Sequence, residues 1–220
     1  MPDGSITLHS YWRSSAAYRV RIGLGLKGLA YETRPVHLVR DGGEQHGDAY
    51  RALNPQRLVP LLEHDGQRIS QSLAILEYLD EAWPATAPLL PPDAAGRARV
   101  RSLALLVACD IHPLNNLRVL QYLKREAGME QPGVDGWMRH WMQAGFEAME
   151  AMLAASPDTG AFCHGDTPTL ADCCLVPQLY NARRFEVDLS PYPRIVAIEA
   201  NCLALPAFDA ARPENQPDAA

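Results

Sequence analysis

The residues with the most chemical promise lie together in Tyr11-Trp12-Arg13-Ser14-Ser15-Ala16-Ala17-Tyr18-Arg19-Val20-Arg21-Ile22. Two hydroxyls stand at the expected opening of a helix, with Arg13 before them and Arg19 and Arg21 after. A helix N-terminus presents unpaired backbone N–H groups and the positive end of the dipole, so it favours an anion. A serine there can serve in two ways. It can accept a backbone N–H as a cap, or it can donate its own proton to a bound anion. Gln71-Ser72 forms a second such opening in the same half of the chain. Each opening alone reads as a cap; together they suit two anionic groups of one ligand.

Asp110-Ile111-His112-Pro113-Leu114-Asn115-Asn116-Leu117-Arg118 places polar groups inside an otherwise apolar helical stretch. His112 and Asn116, with Asn115, are spaced to share a face, and buried polar groups need partners. The segment therefore reads as a wall facing a ligand or as a satisfied internal network. Arg183-Arg184 is expected to be surface charge, with one of the two turned toward a carboxylate. Thr169-Leu170-Ala171-Asp172 has the spacing of a capping box and marks a helix start. The seven histidines and five cysteines show no C-x-x-C or H-E-x-x-H spacing, so no metal site is expected and the thiols read as core residues. No Gly-x-Ser-x-Gly elbow or Walker loop is present, which leaves serine hydrolysis and phosphoryl transfer without support.

The elements that must carry these residues change character along the chain. Ile6 to Ser10 alternates as a short strand, Ser15 to Lys27 reads as a helix, and Gly28 is placed to end it. Gly23-Leu24-Gly25-Leu26-Lys27-Gly28 also matches G-x-G-x-x-G, the dinucleotide fingerprint. That reading fails because a strand over 31–38, with a proline at 35, follows at once and leaves no room for a crossover helix. Gly23 and Gly25 are instead expected to let the helix pack closely on a sheet. A polar loop over 40–47 and a short helical piece ending at Asn54-Pro55 follow. Next come a strand from Val59, an Asp65-Gly66 hairpin turn, a return strand over 67–69 and a helix from Ser72.

Four prolines between Pro84 and Pro92 mark a linker, and beyond it the strand signals vanish. Helical stretches are expected over 93–125, interrupted near Asp110-Ile111-His112-Pro113, from about Val134 to Ala155, and from Thr169, with shorter ones after Pro191. This predicts an α/β domain over residues 1–84, a linker over 85–92 and an all-α domain over 93–220.

The 220 residues are 47% hydrophobic and 21% charged, the composition of a globular protein with a real core. The net charge of −6 supplies no basic field for nucleic acid or anionic lipid, so neither is expected as a partner. The first residues lack a signal-peptide layout, and no apolar run approaches the roughly 20 residues that span a bilayer. The odd, irregular cysteine count is no disulfide framework. A cytoplasmic protein with reduced thiols is the expectation.

Several segments in order resemble one family. They are the stretch from 11 to 22, Leu-Lys-Gly-Leu-x-Tyr-Glu (26–32), Arg-Asp-Gly-Gly-Glu-Gln (40–45), Ala-Leu-Asn-Pro-Gln (52–56) and Val-Pro-Leu-Leu (59–62). Gln-Ser-Leu-Ala-Ile-Leu-Glu-Tyr-Leu (71–79), Cys-Asp-Ile-His-Pro-Leu-Asn-Asn (109–116), Gly-Asp-Thr-Pro-Thr-Leu-Ala-Asp (165–172), Leu-Val-Pro-Gln (175–178) and Asp-Leu-Ser-Pro-Tyr-Pro (188–193) complete the set. The chain resembles the glutathione transferases, and among them the zeta class. The resemblance implies a thioredoxin-like N-terminal domain joined to an all-helical one, glutathione as cofactor, a homodimer, and isomerisation of maleylacetoacetate in tyrosine and phenylalanine breakdown. Maleylpyruvate, from gentisate breakdown, is the alternative substrate, and a non-catalytic glutathione- or partner-binding module is the alternative of another class.

The resemblance also distributes roles. Pro60 matches a cis-proline that exposes the Val59 backbone to the cysteinyl part of glutathione. Gln71 and Ser72 match the γ-glutamyl site, and Gln45 a glycyl contact. His112, Asn116, Leu117 and Arg118 match the stretch of the helical domain that lines the site. Ser14 matches the hydroxyl facing the sulfur, with Ser15, Ala16, Ala17, Tyr18 and Arg19 beside it and Ser15 as the cap or its neighbour. The implied reaction adds the thiolate to the cis double bond of a maleyl-keto acid, allows rotation and eliminates it again. Arg13 and Arg184 are the candidates for the substrate carboxylates, and His112 for the developing oxyanion or a proton. The family often has a cysteine where this chain has Ala16. The reactive sulfur is then expected to come from glutathione rather than from the protein.

Overall fold

The computed structural model describes residues 4–219. The chain divides into two compact units, Met1–Leu89 with Leu203–Ala220, and Leu90–Cys202. The division falls inside the proline-bearing segment expected as a linker. The last eighteen positions pack with the first unit, whereas the sequence reading placed them with the helical half.

In the first unit, strands β1 (Thr7–Ser10), β2 (Glu32–Pro35), β3 (Leu61–His64) and β4 (Gln67–Ser70) form one sheet in the order β2-β1-β3-β4. β1 and β2 are parallel, and β3 is antiparallel to both β1 and β4. Helix α1 (Ser15–Leu26) connects β1 to β2, α2 (Asp48–Leu53) lies between β2 and β3, and α3 (Ser72–Ala82) follows β4. Alternation along the strands sends Leu8 and Leu62 to one face, where they are packed with Val20 and Leu24 of α1 and Ile75 and Leu79 of α3. Tyr11, Val36, Tyr50 and Val59 form a second, smaller cluster. Helix α1 ends where glycine permits, at Gly28 with φ 64°. The hairpin between β3 and β4 turns on Asp65 and Gly66, both at positive φ.

Two expectations about these elements are corrected by the structure. The second strand is only four residues long, because its ladder pairs with β1 alone and β1 ends at Ser10. Gly23 and Gly25 do not face the sheet. A Cβ at Gly23 would meet the Leu76 side chain of α3, and one at Gly25 would meet Ala207.

The second unit contains α4 (Ala94–Leu105), a π turn (Leu106–Ile111), a 3-10 turn (Pro113–Asn115), α5 (Leu117–Arg125), α6 (Gln131–Ala155), α7 (Leu170–Arg184) and most of α8 (Pro193–Leu203). By length and composition residues 94–125 are apolar enough to cross a bilayer. They are nonetheless broken midway, since Asn116 is extended at ψ 145° and caps α5 with its own side chain. His112 and Asn116 therefore belong to different helical pieces, which corrects the expectation of one shared face. Asp172 closes the capping box of α7: its carboxylate accepts from the Thr169 N–H at 2.7 Å and from the Cys163 N–H at 2.8 Å. Among the described residues no cluster of His, Cys, Asp and Glu could hold a metal ion, and the five cysteines are free.

After α8 the chain re-enters the first unit through the short helix α9 (Pro206–Ala210), which packs against α1.

Candidate active site

Strand direction decides where the first unit gathers its functional groups. β1 and β4 both run antiparallel to β3, so they point the same way, and α1 and α3 each follow the carboxyl end of one of them. Their N-termini therefore open at the same end of the sheet. Register brings the remaining groups to that end: Ser10 lies opposite Pro35, and Leu61, next after Pro60, lies opposite both His9 and Ser70. Ser14, the Val59-Pro60 peptide, Gln71-Ser72 and the loop after β2 are thus collected by topology alone.

Ser14 is the N-cap of α1, and its Oγ accepts the Ala17 N–H at 3.2 Å. Ser15 is the first helical residue, so the capping role falls on Ser14 rather than on Ser15. Capping uses one acceptor site of the hydroxyl and leaves its proton to be donated. No acidic side chain lies in the first turn of α1 to neutralise its dipole. Arg13 stands beside it, its guanidinium 4.5 Å from the centre of the Trp12 ring and donating to the Tyr11 hydroxyl at 3.3 Å.

Ser72 is buried and its Oγ accepts from Arg19 Nη1 at 3.2 Å, a bond that ties α1 to the start of α3. Gln71 precedes the helix at φ 71° and makes no side-chain cap; its amide donates to Gln56 Oε1 at 3.0 Å. The Val59-Pro60 peptide bond is cis, the geometry the family resemblance implies at this position. The residue before it is braced by two donors: Tyr50 Oη at 2.7 Å and Asn54 Nδ2 at 2.8 Å both reach the Leu58 carbonyl. Burial pushes the Tyr50 phenol up to about 12, so it remains a donor at physiological pH. Gln45 is 6% exposed; its amide N–H donates to the Leu38 carbonyl at 3.3 Å while its Oε1 is buried without a partner. Ala16 and Ala17 continue the first turn of α1, with Tyr18 and Arg19 buried behind them.

In the second unit, His112 follows the π turn, its N–H bonding back to the Val107 carbonyl. Asn116 Oδ1 accepts the Arg118 N–H at 3.2 Å, Leu117 opens α5, and the Arg118 residue is exposed. The buried asparagine is its neighbour Asn115, 7% exposed with neither side-chain polar atom paired. Of the arginine pair, Arg183 is bonded to the Glu199 carboxylate, and Arg184 is exposed, 5.0 Å from the Phe185 ring centre.

Three contributors were missed by reasoning from sequence. Arg21, 1% exposed, donates to Ser10 Oγ, to the Trp12 carbonyl and to the Ala211 carbonyl, all within 3.1 Å. Burial lowers its guanidinium to about 10. Its alternation with Arg19 was visible, but a helical arginine gives no sign that it will be buried. The Tyr50–Asn54 brace has the i, i+4 spacing as its only signal, and Asp218, whose Oδ2 accepts the Trp12 N–H at 3.0 Å, has none.

The sequence profile of the glutathione S-transferase N-terminal domain matches residues 13–82, and that of the C-terminal domain matches residues 132–198. The chain belongs to the glutathione S-transferase family. Similarity to the family's zeta class runs through nearly the whole transferase chain. A maleylpyruvate isomerase of Ralstonia is 53% identical over 97% of this chain and 99% of its own, and a probable maleylacetoacetate isomerase of Vibrio cholerae is 52% identical over 98% and 99%. Among solved structures, a holo maleylpyruvate isomerase described as a zeta-class bacterial glutathione S-transferase superposes with a TM-score of 0.94 at 52% identity, covering 97% of this chain and 100% of its own. A maleylacetoacetate isomerase of Anaeromyxobacter dehalogenans with bound glutathione gives 0.87 at 48% identity, with both chains fully covered.

Proposed function

We propose that this transferase is a glutathione-dependent cis–trans isomerase that converts maleylacetoacetate to its fumaryl isomer. The observation that carries the reading is Ser14: a capping hydroxyl with a proton to spare, at a helix N-terminus free of acidic side chains, in a chain about half identical to named isomerases of this kind.

The residues present fit glutathione, a tripeptide with two carboxylates, two amides and a thiol. Two helix N-termini suit the anionic groups, and the orphaned buried Gln45 Oε1 is an acceptor awaiting an amide N–H. On this reading Gln71 and Ser72 hold the γ-glutamyl end, the Val59 backbone pairs with the cysteinyl part, and Gln45 meets the glycyl end. When bound, glutathione supplies a nucleophilic sulfur that adds to the substrate double bond and leaves after rotation. The protein's share is electrostatic. A thiol near 8.5 loses a pKa unit for each ~1.4 kcal/mol of stabilisation given to its anion. A donated hydroxyl proton with a helix dipole worth ~0.3–2 kcal/mol suffices for one to two units, with no help needed from a cysteine at position 16. Arg13 is assigned to a substrate carboxylate; in the second unit Arg184 is assigned to the other, and His112 to the developing oxyanion or a proton.

The Ralstonia relative and the solved maleylpyruvate isomerase favour a second reading, maleylpyruvate as the substrate. We also infer a homodimer, a cytoplasmic location and a place in tyrosine and phenylalanine breakdown. One assay separates the readings: following cis-to-trans conversion of maleylacetoacetate and maleylpyruvate, each with and without glutathione. Faster turnover of maleylacetoacetate, dependent on glutathione, is expected. Turnover of maleylpyruvate alone supports the second reading, and turnover of neither supports a binding module or a general conjugating transferase.

A further inference from the structure

Ser14 closes a tight turn, its N–H donating to the Tyr11 carbonyl at 2.9 Å, so Trp12 and Arg13 are the two central residues of that turn. Both main-chain groups of Trp12 are taken by groups distant in sequence from the turn or buried beneath it. Its N–H donates to Asp218 Oδ2 at 3.0 Å, and its carbonyl accepts from Arg21 Nη2 at 3.0 Å. The same guanidinium, through Nε, reaches the Ala211 carbonyl at 3.0 Å. Residues 211–218 thus grip the turn at one end directly and at the other through Arg21.

This segment is itself held in shape. The Gln216 amide donates to the carbonyls of Ala210 and Arg212 at 3.0 and 2.8 Å, and the Asn215 amide donates to the Asp209 carbonyl at 2.7 Å. These bonds add side-chain donors to carbonyls at and just beyond the end of α9. Behind them α9 is seated on α1: Phe208 is fully buried, its carbonyl lies 3.5 Å from the Tyr18 hydroxyl, and Ala207 meets α1 at Gly25. A segment that merely covered apolar surface would have no need of a polar bond to the Trp12 N–H and another to the guanidinium that holds the Trp12 carbonyl.

We propose that residues 211–218 are a strap that positions the Ser14 hydroxyl for the glutathione sulfur, with Asp218 and Arg21 as positioning residues. The inference rests on the glutathione reading above. Without Asp218 the Trp12 N–H loses its acceptor, the turn is held at one end only, and the hydroxyl two residues on is no longer fixed. A misaligned donor stabilises the thiolate less, so the strap acts on the acidity of the bound thiol rather than on the grip on the tripeptide.

The test is a spectroscopic titration of the thiolate of bound glutathione in the full-length protein and in Asp218→Ala and Asp218→Asn. Calorimetric glutathione affinity and melting temperature are measured on the same samples. In Asp218→Ala the thiol is expected to titrate about half a unit to one unit higher, part of the one- to two-unit lowering the site supplies, with affinity changed less than about threefold. Asp218→Asn keeps an acceptor oxygen and is expected to recover most of the shift. Deletion of residues 217–220 should reproduce Asp218→Ala. An unchanged thiol titration in Asp218→Ala overturns the strap while leaving the glutathione reading intact. Equal shifts in the Ala and Asn variants that merely track lost melting temperature also overturn it. A wild-type protein that binds no glutathione overturns both.

Discussion

At the scale of single residues, Ser14 caps α1 and, on the proposed reading, is assigned a second duty through the same oxygen. Its lone pair caps α1 by accepting the Ala17 N–H, and its proton remains for an anion. Ser14→Ala removes both, and the two losses are separable. Loss of a cap costs ~0.5–2 kcal/mol, which in a chain of this size lowers the melting temperature by roughly 2–4 °C per kcal/mol. Loss of the donor raises the pKa of the bound thiol, so the thiolate fraction at neutral pH and the isomerisation rate fall about tenfold for each unit. Ser14→Thr keeps the cap and the hydroxyl and should restore both melting temperature and rate. Calorimetry and the isomerisation assay on the two variants check this; a rate untouched in Ser14→Ala would remove Ser14 from the chemistry. A Ser-Ser pair flanked by arginines was legible as a helix start that favours an anion, although such an opening alone reads as a cap. Which serine caps was not legible, since neighbouring hydroxyls satisfy the same sequence rule and a helix boundary is uncertain by a residue.

At the scale of elements, the strands and their turns were readable from period-two alternation, the Asp65-Gly66 turn and the Gly28 stop, all of which are local signals. What the glycines of α1 touch is not local. Gly23 faces α3, where a Cβ would fall 2.2 Å from Leu76 Cδ2, and Leu76 is fully buried. Gly23→Ala would gain about 1 kcal/mol of helix propensity. It must also displace a core leucine, and overpacking costs ~1–3 kcal/mol. The expected net effect is destabilisation by up to about 2 kcal/mol, seen as a lower midpoint in denaturant unfolding. If the clash is the cause, Leu76→Val should cost less in the Gly23→Ala background than in the native one, a coupling that a double-mutant cycle measures. Additive effects would mean that Gly23 serves only the helix backbone. The π turn at 106–111 escaped the sequence reading for the same reason, because its apolar residues fit an ordinary helix equally well. Pro113 announced the break but not its form.

At the scale of the whole molecule, the loss of strand signals after the prolines near 84–92 revealed an α/β part and a helical part. It could not reveal that residues 203–220 rejoin the first part, because beyond the apolar contact of Phe208 and Ala207 their ties to it run through the Ala211 carbonyl and the Asp218 carboxylate. Such bonds leave no hydrophobic period to read. Membership in a unit has a measurable consequence in hydrogen exchange. A ligand that binds only the closed form slows every opening that releases it by a factor of about 1 + [L]/Kd, roughly 100-fold at 100 times Kd. Saturating glutathione is expected to slow amides of the turn and first helical turn over 12–17 and those that open α3 over 72–75. If the strap opens with the turn it grips, amides over 212–219 should slow by a similar factor, although these residues are assigned no contact with the tripeptide. In Asp218→Ala the slowing should persist over 12–17 and weaken over 214–219, because the direct bond between segment and turn is gone and only the Arg21 bridge at Ala211 still couples the two openings. A carboxyl-terminal segment that keeps its ligand-free rates in the native protein would show that it opens independently of the turn.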